Sequence, residues 1–366
     1  MEFRILHQSH SSRARICKIR TLHGEFTTPI FIPVGTQGTV KAVCSRDLEE
    51  LGVEILLVNT YHLYLRPGHS VIKEIGGIHS FMGWNGPVLS DSGGFQIYSL
   101  ADLAEISEEG AKFRSHIDGS THLLTPEKAV EIQEALGADI IMCLDYCIPY
   151  TSQYDKVARS VEITTKWALR SIKRKMKNGQ ALFGIIQGGT FWELRERSIS
   201  DLLKLDFDGY AIGGLCVGEE DKAREEIVKA TALTLPKDRP IYLMGIGRPD
   251  EIVDAVSYGV DMFDCVLPTR NARNGTLFTW SGKINIRNSR YKEDQHPIEE
   301  DCNCYTCSRY SRAYLRHLFN TKELLAYRLS TIHNLSFFCR FMERLREAIK
   351  MDKLDQFRNT VLKIFG

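Results

Sequence analysis

The sequence predicts an α/β protein, a closed (β/α)8 barrel of the TIM type with an inserted hairpin and a zinc-binding subdomain, on three observations. Eight short apolar runs alternate with segments of helical spacing, the pattern of parallel strands buried on both faces. Run after run ends in a residue able to do chemistry or to let a ligand approach; a barrel gathers such ends at one mouth, whereas an open doubly wound sheet spreads them along an edge. No glycine-rich nucleotide fingerprint follows the first run, which counts further against the open sheet.

In chain order the runs are 28–34, 54–59, 88–91, 140–145, 182–187, 209–213, 241–245 and 260–266. Helical spacing with Glu, Lys and Arg on the outer face occupies 45–51, 126–136, 154–177, 191–205, 221–233 and 249–258. The polar strand ends are Asn59-Thr60, Asp91-Ser92-Gly93-Gly94, Asp145, Gln187-Gly188-Gly189, Gly213-Gly214, Gly245 and Asp264. Residues 1–27 read as an N-terminal hairpin capping the floor or side, with Gly24 at the turn. Residues 97–124 read as a hairpin inserted into the barrel core (28–275), with Asp118-Gly119 as its turn signal. A zinc-binding subdomain (276–350) and a C-terminal helix (351–366) complete the expected organisation.

A chain of 366 residues, 43% apolar and 25% charged, is enough for one large domain, or a large one with an appendage. Net charge is +1, yet residues 270–350 hold 15 Lys and Arg against 8 Asp and Glu, so the remainder is acidic on balance. Such a basic patch is what a polyanion such as RNA would meet, or else a solvated helical face. No apolar run reaches the length of a membrane span and Met1 to Ile5 does not open a signal peptide, which places the protein in the cytoplasm. There the ten cysteines are expected as thiols or metal ligands rather than disulfides.

Three of those cysteines cluster as Cys302, Cys304 and Cys307, and His333 follows on a predicted helix over 330–348. Three thiolates and an imidazole suit tetrahedral zinc, with His317 the competing fourth ligand. Four protein ligands leave no open position, so the metal is expected to be structural.

Asp264 lies in the apolar run Met262, Phe263, Cys265, Val266, where a carboxylate must be paired, hydrogen-bonded or used. It reads either as a nucleophile beside a phosphate- or base-reading surface, or as a strand-end acid pairing with Arg270. Together Asp91, Asp145 and Asp264 can divide the labour into a nucleophile, a proton donor or acceptor, and a group that recognises N–H donors. His62, His69, His79, His116 and His122 read as surface or satisfied histidines.

Asp91-Ser92-Gly93-Gly94-Phe95-Gln96, Phe183 to Gly189, Ala211 to Leu215 and Phe263 to Arg270, with the cysteine cluster and His333, resemble the motifs of tRNA-guanine transglycosylases, from Ser11 to beyond His333. The resemblance implies a zinc-containing barrel enzyme of queuosine biosynthesis, a homodimer, with one structural zinc per subunit. Such an enzyme exchanges guanine at the anticodon wobble position of tRNAs with a GUN anticodon for a 7-deazaguanine base, with preQ1 favoured here and queuine the other candidate. It implies Asp264 as the nucleophile and Asp91 as the general acid/base. Asp145, Gln187 and the backbone of Gly214 and Leu215 are implied to grip the base edge, and Phe95 and Met244 to sandwich its ring. Arg270 and Arg273, with Arg248 and Glu251, are implied RNA-binding residues, and Glu219 a support of the pocket backbone. Two departures stand out: Tyr146 follows Asp145 where a Glu is common, and Cys216 stands where an Ala is common. A catalytically silent tRNA-binding partner subunit is disfavoured because Asp91 and Asp264 are both present. A hydrolase of nucleosides or sugars would have no use for the zinc segment and the arginines.

Overall fold

The computed structural model describes residues 1–100, 104–176 and 179–366. At its centre lies a parallel sheet in the order Ile30–Ile32, Met262–Asp264, Ile241–Leu243, Gly209–Ile212, Ala181–Ile186, Ile140–Met142, Val88–Ser90, Leu56–Val58, Val34–Gly35. The first and last members are halves of one strand, divided by Pro33, which has no N–H to offer a ladder. Its carbonyl still accepts from the Leu57 N–H at 3.0 Å. One half pairs with the eighth strand, Ile32 opposite Asp264, and the other with the second strand, so the sheet closes on itself.

Between successive strands run Ser45–Glu50, His69–Glu74, Pro126–Leu136, Tyr154–Arg174, Trp192–Leu202, Asp221–Thr234 and Pro249–Ser257. Lys177, the end of the helix expected over 154–177, lies outside the described residues. Pro126–Leu136 shows why the sequence folds so: the Thr125 side chain caps the Lys128 N–H, Pro126 occupies the first turn, and Gly137 ends the helix at φ +74°. On its buried face Gln133 accepts from the Ser90 hydroxyl at 2.9 Å and the Met142 N–H at 2.8 Å, bridging the third and fourth strands.

Two expectations are corrected. Residues 1–27 do not form one hairpin: Glu2–Gln8, Arg15–Thr21 and Gly24–Thr28 make a three-stranded antiparallel sheet, because Arg15–Thr21 pairs on both edges. That sheet meets the barrel floor through Arg15, whose Nε and Nη2 donate to the fully buried Asp261 at 2.9 and 2.6 Å. The insertion is likewise three-stranded, Glu105–Ile106 joining the hairpin of Ala111–Arg114 and Thr121–Leu124, with Gly119 at φ +74° in its turn. Residues 101–103 of the expected insertion lie outside the described residues. The zinc-binding subdomain, 276–350, also completes the barrel. Its last helix, Leu324–Lys350, carries His333 near one end and then packs on the barrel as the eighth helix. Phe338 meets Phe31 of the first strand at 4.6 Å between ring centroids, and Arg346 donates to the Pro29 carbonyl at 3.0 Å. No helix among the described residues is long and apolar enough to cross a membrane.

Candidate active site and metal centre

Asp91, Asp145 and Asp264 follow or end the third, fourth and eighth strands, which places all three carboxylates at the carboxyl-terminal mouth of the barrel. Asp264 is half-buried there. Its Oδ1 accepts from the Tyr242 hydroxyl at 2.6 Å and from the Gly245 N–H at 3.0 Å, while Oδ2 takes no hydrogen bond among the described residues. Burial raises the Asp264 carboxyl above the usual carboxylate range, and those two donors pull it back. Tyr242, buried beside that charge, is held well above the ordinary phenol range and stays a neutral donor.

Asp91 is more enclosed. Its Oδ1 accepts from the Thr60 N–H at 2.8 Å, and its Oδ2 from Gln96 at 2.8 Å and from the Asn59 side chain. Burial pushes its carboxyl up to about 6; the three donors oppose the rise, and the nearby charge of Asp264 adds to it. Asp91 therefore feels the charge of Asp264 across the mouth, the arrangement that separates an ionised group from one poised near neutrality.

Asp145 forms the base of a second polar cluster. It accepts from the Ser92 hydroxyl at 2.8 Å and from Gln187 Nε2 at 2.7 Å, and burial raises it as well. Two glycines let backbone close in on this cluster. A Cβ on Gly94 would lie 2.4 Å from the Asp145 carbonyl, and one on Gly214, at φ +65°, would lie 2.1 Å from Gln187 Oε1. Beneath them sits Arg195, fully buried without a carboxylate contact. It donates to the Gly189 carbonyl at 2.7 Å and the Gly213 carbonyl at 2.9 Å, and so clamps the ends of the fifth and sixth strands together. Burial lowers its guanidinium to about 9.

Around this floor the remaining residues singled out in the sequence divide into groups. Phe95 is exposed on Gly94–Leu100, Met244 is half-buried just past the seventh strand, and Leu215 is buried. Glu219 accepts from the Val217 N–H at 3.0 Å and from the Cys216 N–H, which holds the turn carrying Cys216 at φ +62°. Arg248 and Glu251 are drawn into an ion-pair network with Arg224, Asp221 and Asp250, beside a cavity of about 200 Å³. Arg270 and Arg273, by contrast, have no carboxylate partner among the described residues, so the pairing of Asp264 with Arg270 is not formed. Arg273 donates to the Thr269 carbonyl of its own helix, Leu267–Arg273.

Cys302, Cys304, Cys307 and His333 are all buried and meet as one group, and His317 stands apart from it, beside Tyr314. The Nδ1 of His333 lies 3.8, 3.9 and 3.3 Å from the three sulfurs. Ligands around a tetrahedral zinc stand about 3.5 Å apart, so the set fits such an ion. Nε2 of His333 is 2.8 Å from the Phe278 carbonyl, which fixes the proton there and leaves Nδ1 for a metal.

Tyr242, Arg195 and the Asn59 contact were not assigned roles from the sequence. Asn59 was visible as a strand end, while nothing in a one-dimensional pattern marks a tyrosine inside an apolar strand or an arginine on a helix as facing the mouth. Of the histidines, His79, His116 and His122 are satisfied, by Asp139, Tyr61 and Tyr64. His62 differs: its Nδ1 is buried with no partner among the described residues.

The family model described as Queuine tRNA-ribosyltransferase matches residues 9–365. The chain is 53% identical over 368 residues to the queuine tRNA-ribosyltransferase of Thermoanaerobacter pseudethanolicus, covering 100% of this chain and 98% of the relative. It is 54% identical over 364 residues to that of Caldanaerobacter subterraneus subsp. tengcongensis, covering 99% and 97%. A third relative of the same name, from Halothermothrix orenii, is 53% identical over 363 residues, covering 99% and 97%.

Proposed function

The chain belongs to the queuine tRNA-ribosyltransferases, the bacterial-type tRNA-guanine transglycosylases of queuosine synthesis, and on that premise we propose that it exchanges guanine at the wobble position of GUN anticodons by double displacement. The observation that carries this reading is the free Oδ2 of Asp264 at the mouth, with Oδ1 anchored by Tyr242 and Gly245 and Asp91 within electrostatic reach. Oδ2 attacks the ribose C1′ as the C1′–N9 bond breaks, and the bond's electron pair leaves with guanine, which takes a proton from Asp91 and leaves Asp91 as a carboxylate. The incoming deazaguanine then attacks the same carbon from N9, releases Asp264 as a carboxylate and gives its N–H proton to Asp91. Two inversions return the original configuration.

Asp145 and Gln187 are suited to the base's edge, with the backbone of Gly214 and Leu215, and Phe95 and Met244 to its faces, since a base taken out of its stack is held by edges and planes together. The small substituent of preQ1 is favoured by the buried Cys147 and by Val217; Tyr146 supplies no carboxylate for its ammonium. The unpaired Arg270 and Arg273 face the anticodon, with Arg248 and Glu251 on the rim. Zinc, held by Cys302, Cys304, Cys307 and His333, has a structural role. The homodimer reading is supported by an aromatic ladder of Tyr305, Tyr310, Tyr314 and His317 along the zinc segment.

The test is incorporation of labelled guanine into unmodified tRNA, with preQ1 and queuine as competitors and sedimentation for the dimer. Wild type incorporates label and yields it faster to preQ1. Asp264→Ala loses at least about 10³-fold in rate and forms no denaturation-resistant RNA adduct. Exchange surviving in that variant removes Asp264 from its role.

A further inference from the structure

We propose that His23, His79 and Asp139 form a second divalent-metal site, solvent-facing and distinct from the cysteine cluster, on the floor of the barrel. The three residues come from separate parts of the chain. His23 lies in the turn between Arg15–Thr21 and Gly24–Thr28, His79 on Ile78–Met82, and Asp139 immediately before the fourth strand. That is the end opposite the exchange chemistry, so the site takes no part in the proposed reaction.

Asp139 is fully enclosed, and backbone fixes its carboxylate: Oδ1 accepts from the His23 N–H and Oδ2 from the Val88 N–H, both at 2.9 Å. A metal-binding carboxylate needs this kind of support from its far side. Its remaining lone pairs face two imidazoles, His23 Nδ1 at 3.0 Å from Oδ1 and His79 Nε2 at 3.2 Å from Oδ2. All three ligand atoms lie within 4.8 Å of one another. Neighbouring ligands bound at about 2.1 Å to one ion stand roughly 3.0–3.4 Å apart, so an ion fits where imidazole protons now bridge.

The two rings are stacked, with centroids 3.6 Å apart and planes 23° from parallel. A single ion cannot lie in both planes at once, so binding turns one ring. His23 is free to turn, being 41% exposed on a surface turn, whereas His79 is 11% exposed. Two imidazoles and one carboxylate suit Zn²⁺, Co²⁺ or Ni²⁺ over Mg²⁺ or Ca²⁺, and the exposed side leaves positions for water. Bound there, an ion would staple the turn of the N-terminal sheet to the barrel.

The experiment uses the full-length, tag-free protein holding one equivalent of zinc, titrated with Co²⁺ at pH 8 and followed by calorimetry and visible absorption. A second equivalent is expected, with no thiolate charge-transfer band, and at least about tenfold weaker in both His23→Ala and His79→Ala. His23→Ala removes a partly exposed ring and leaves the backbone N–H bond to Asp139 in place, so its result stands even if His79→Ala loosens the floor. Saturation of the wild type without a second equivalent, or an unchanged second equivalent in His23→Ala, overturns the proposal.

Discussion

At the scale of single residues, two carboxylates at the mouth meet different surroundings, Asp91 buried and Asp264 half-buried. Asp91, pushed up to about 6, binds its proton more tightly folded than unfolded. The stability this contributes is complete below about pH 4 and is lost as pH rises through 6, amounting to at most about 3 kcal/mol. Asp91→Asn should therefore lose less stability than wild type between pH 5 and pH 8 in urea melts. In the proposed mechanism Asp91 must be in its base form to take the incoming proton, so wild-type kcat/KM for the deazaguanine should fall on the acid side. The fall should come at a lower pH than in the free enzyme, because an esterified Asp264 no longer carries the charge that helps raise Asp91, and that limb should vanish in the variant. Tyr242→Phe tests the other carboxylate. It removes one of two donors to Asp264 Oδ1. A hydrogen bond to a charged group contributes about 1.5–3 kcal/mol, so kcat should drop roughly 10- to 100-fold with the KM for tRNA nearly unchanged. Asp91, Asp145 and Asp264 were legible in the sequence because an acid closing an apolar run is costly unless used or satisfied. Tyr242 and Arg195 were not, since each acts through a neighbour on a different strand and neither breaks the pattern of its own segment.

At the scale of elements, the eight strands could be read because each is a short apolar run closed by a polar or glycine-rich end. What could not be read was pairing across distance: the third N-terminal strand, the first barrel strand divided at Pro33, and a helix that serves two units at once. That helix decides how metal removal will act. Asn334, next to His333, donates to the Pro268 and Thr276 carbonyls at 2.9 and 3.0 Å and accepts from the Phe278 N–H at 3.1 Å. The cysteine segment is joined to the helix by the four clustered ligands, a Thr306 bond to the Leu329 carbonyl, Arg340 bonds to Glu299 and the Asp301 carbonyl, and contact of Phe319 with Tyr327, so that losing a metal removes the one tie that gathers all three cysteines. Chelation should strip hydrogen-exchange protection from residues 300–320 first. The later part of Leu324–Lys350, held by Phe338, Phe341 and Leu345 in the core, should stay protected until the barrel itself melts. Simultaneous loss of protection in both would show that metal and barrel fold as one unit.

At the scale of the whole molecule, charge is unevenly spread in a chain of net +1. The basic surplus begins at Arg270, and Leu267–Arg273 follows closely on the strand that ends on Asp264, so two guanidiniums with no carboxylate partner among the described residues lie near that carboxylate. Elsewhere many cations are neutralised locally, Lys204 by Asp201 and Arg170 by Glu127, for instance. A phosphate gains most from a cation that has no carboxylate to leave, and releases a counterion for each one it meets. Arg270→Ala and Arg273→Ala should therefore each weaken tRNA binding and reduce the slope of log K against log salt by about 0.7–0.9. Lys204→Ala should leave that slope unchanged. The comparison separates a local RNA-reading surface from a general attraction, because a field spread over the molecule would lower the slope equally wherever a positive charge is removed.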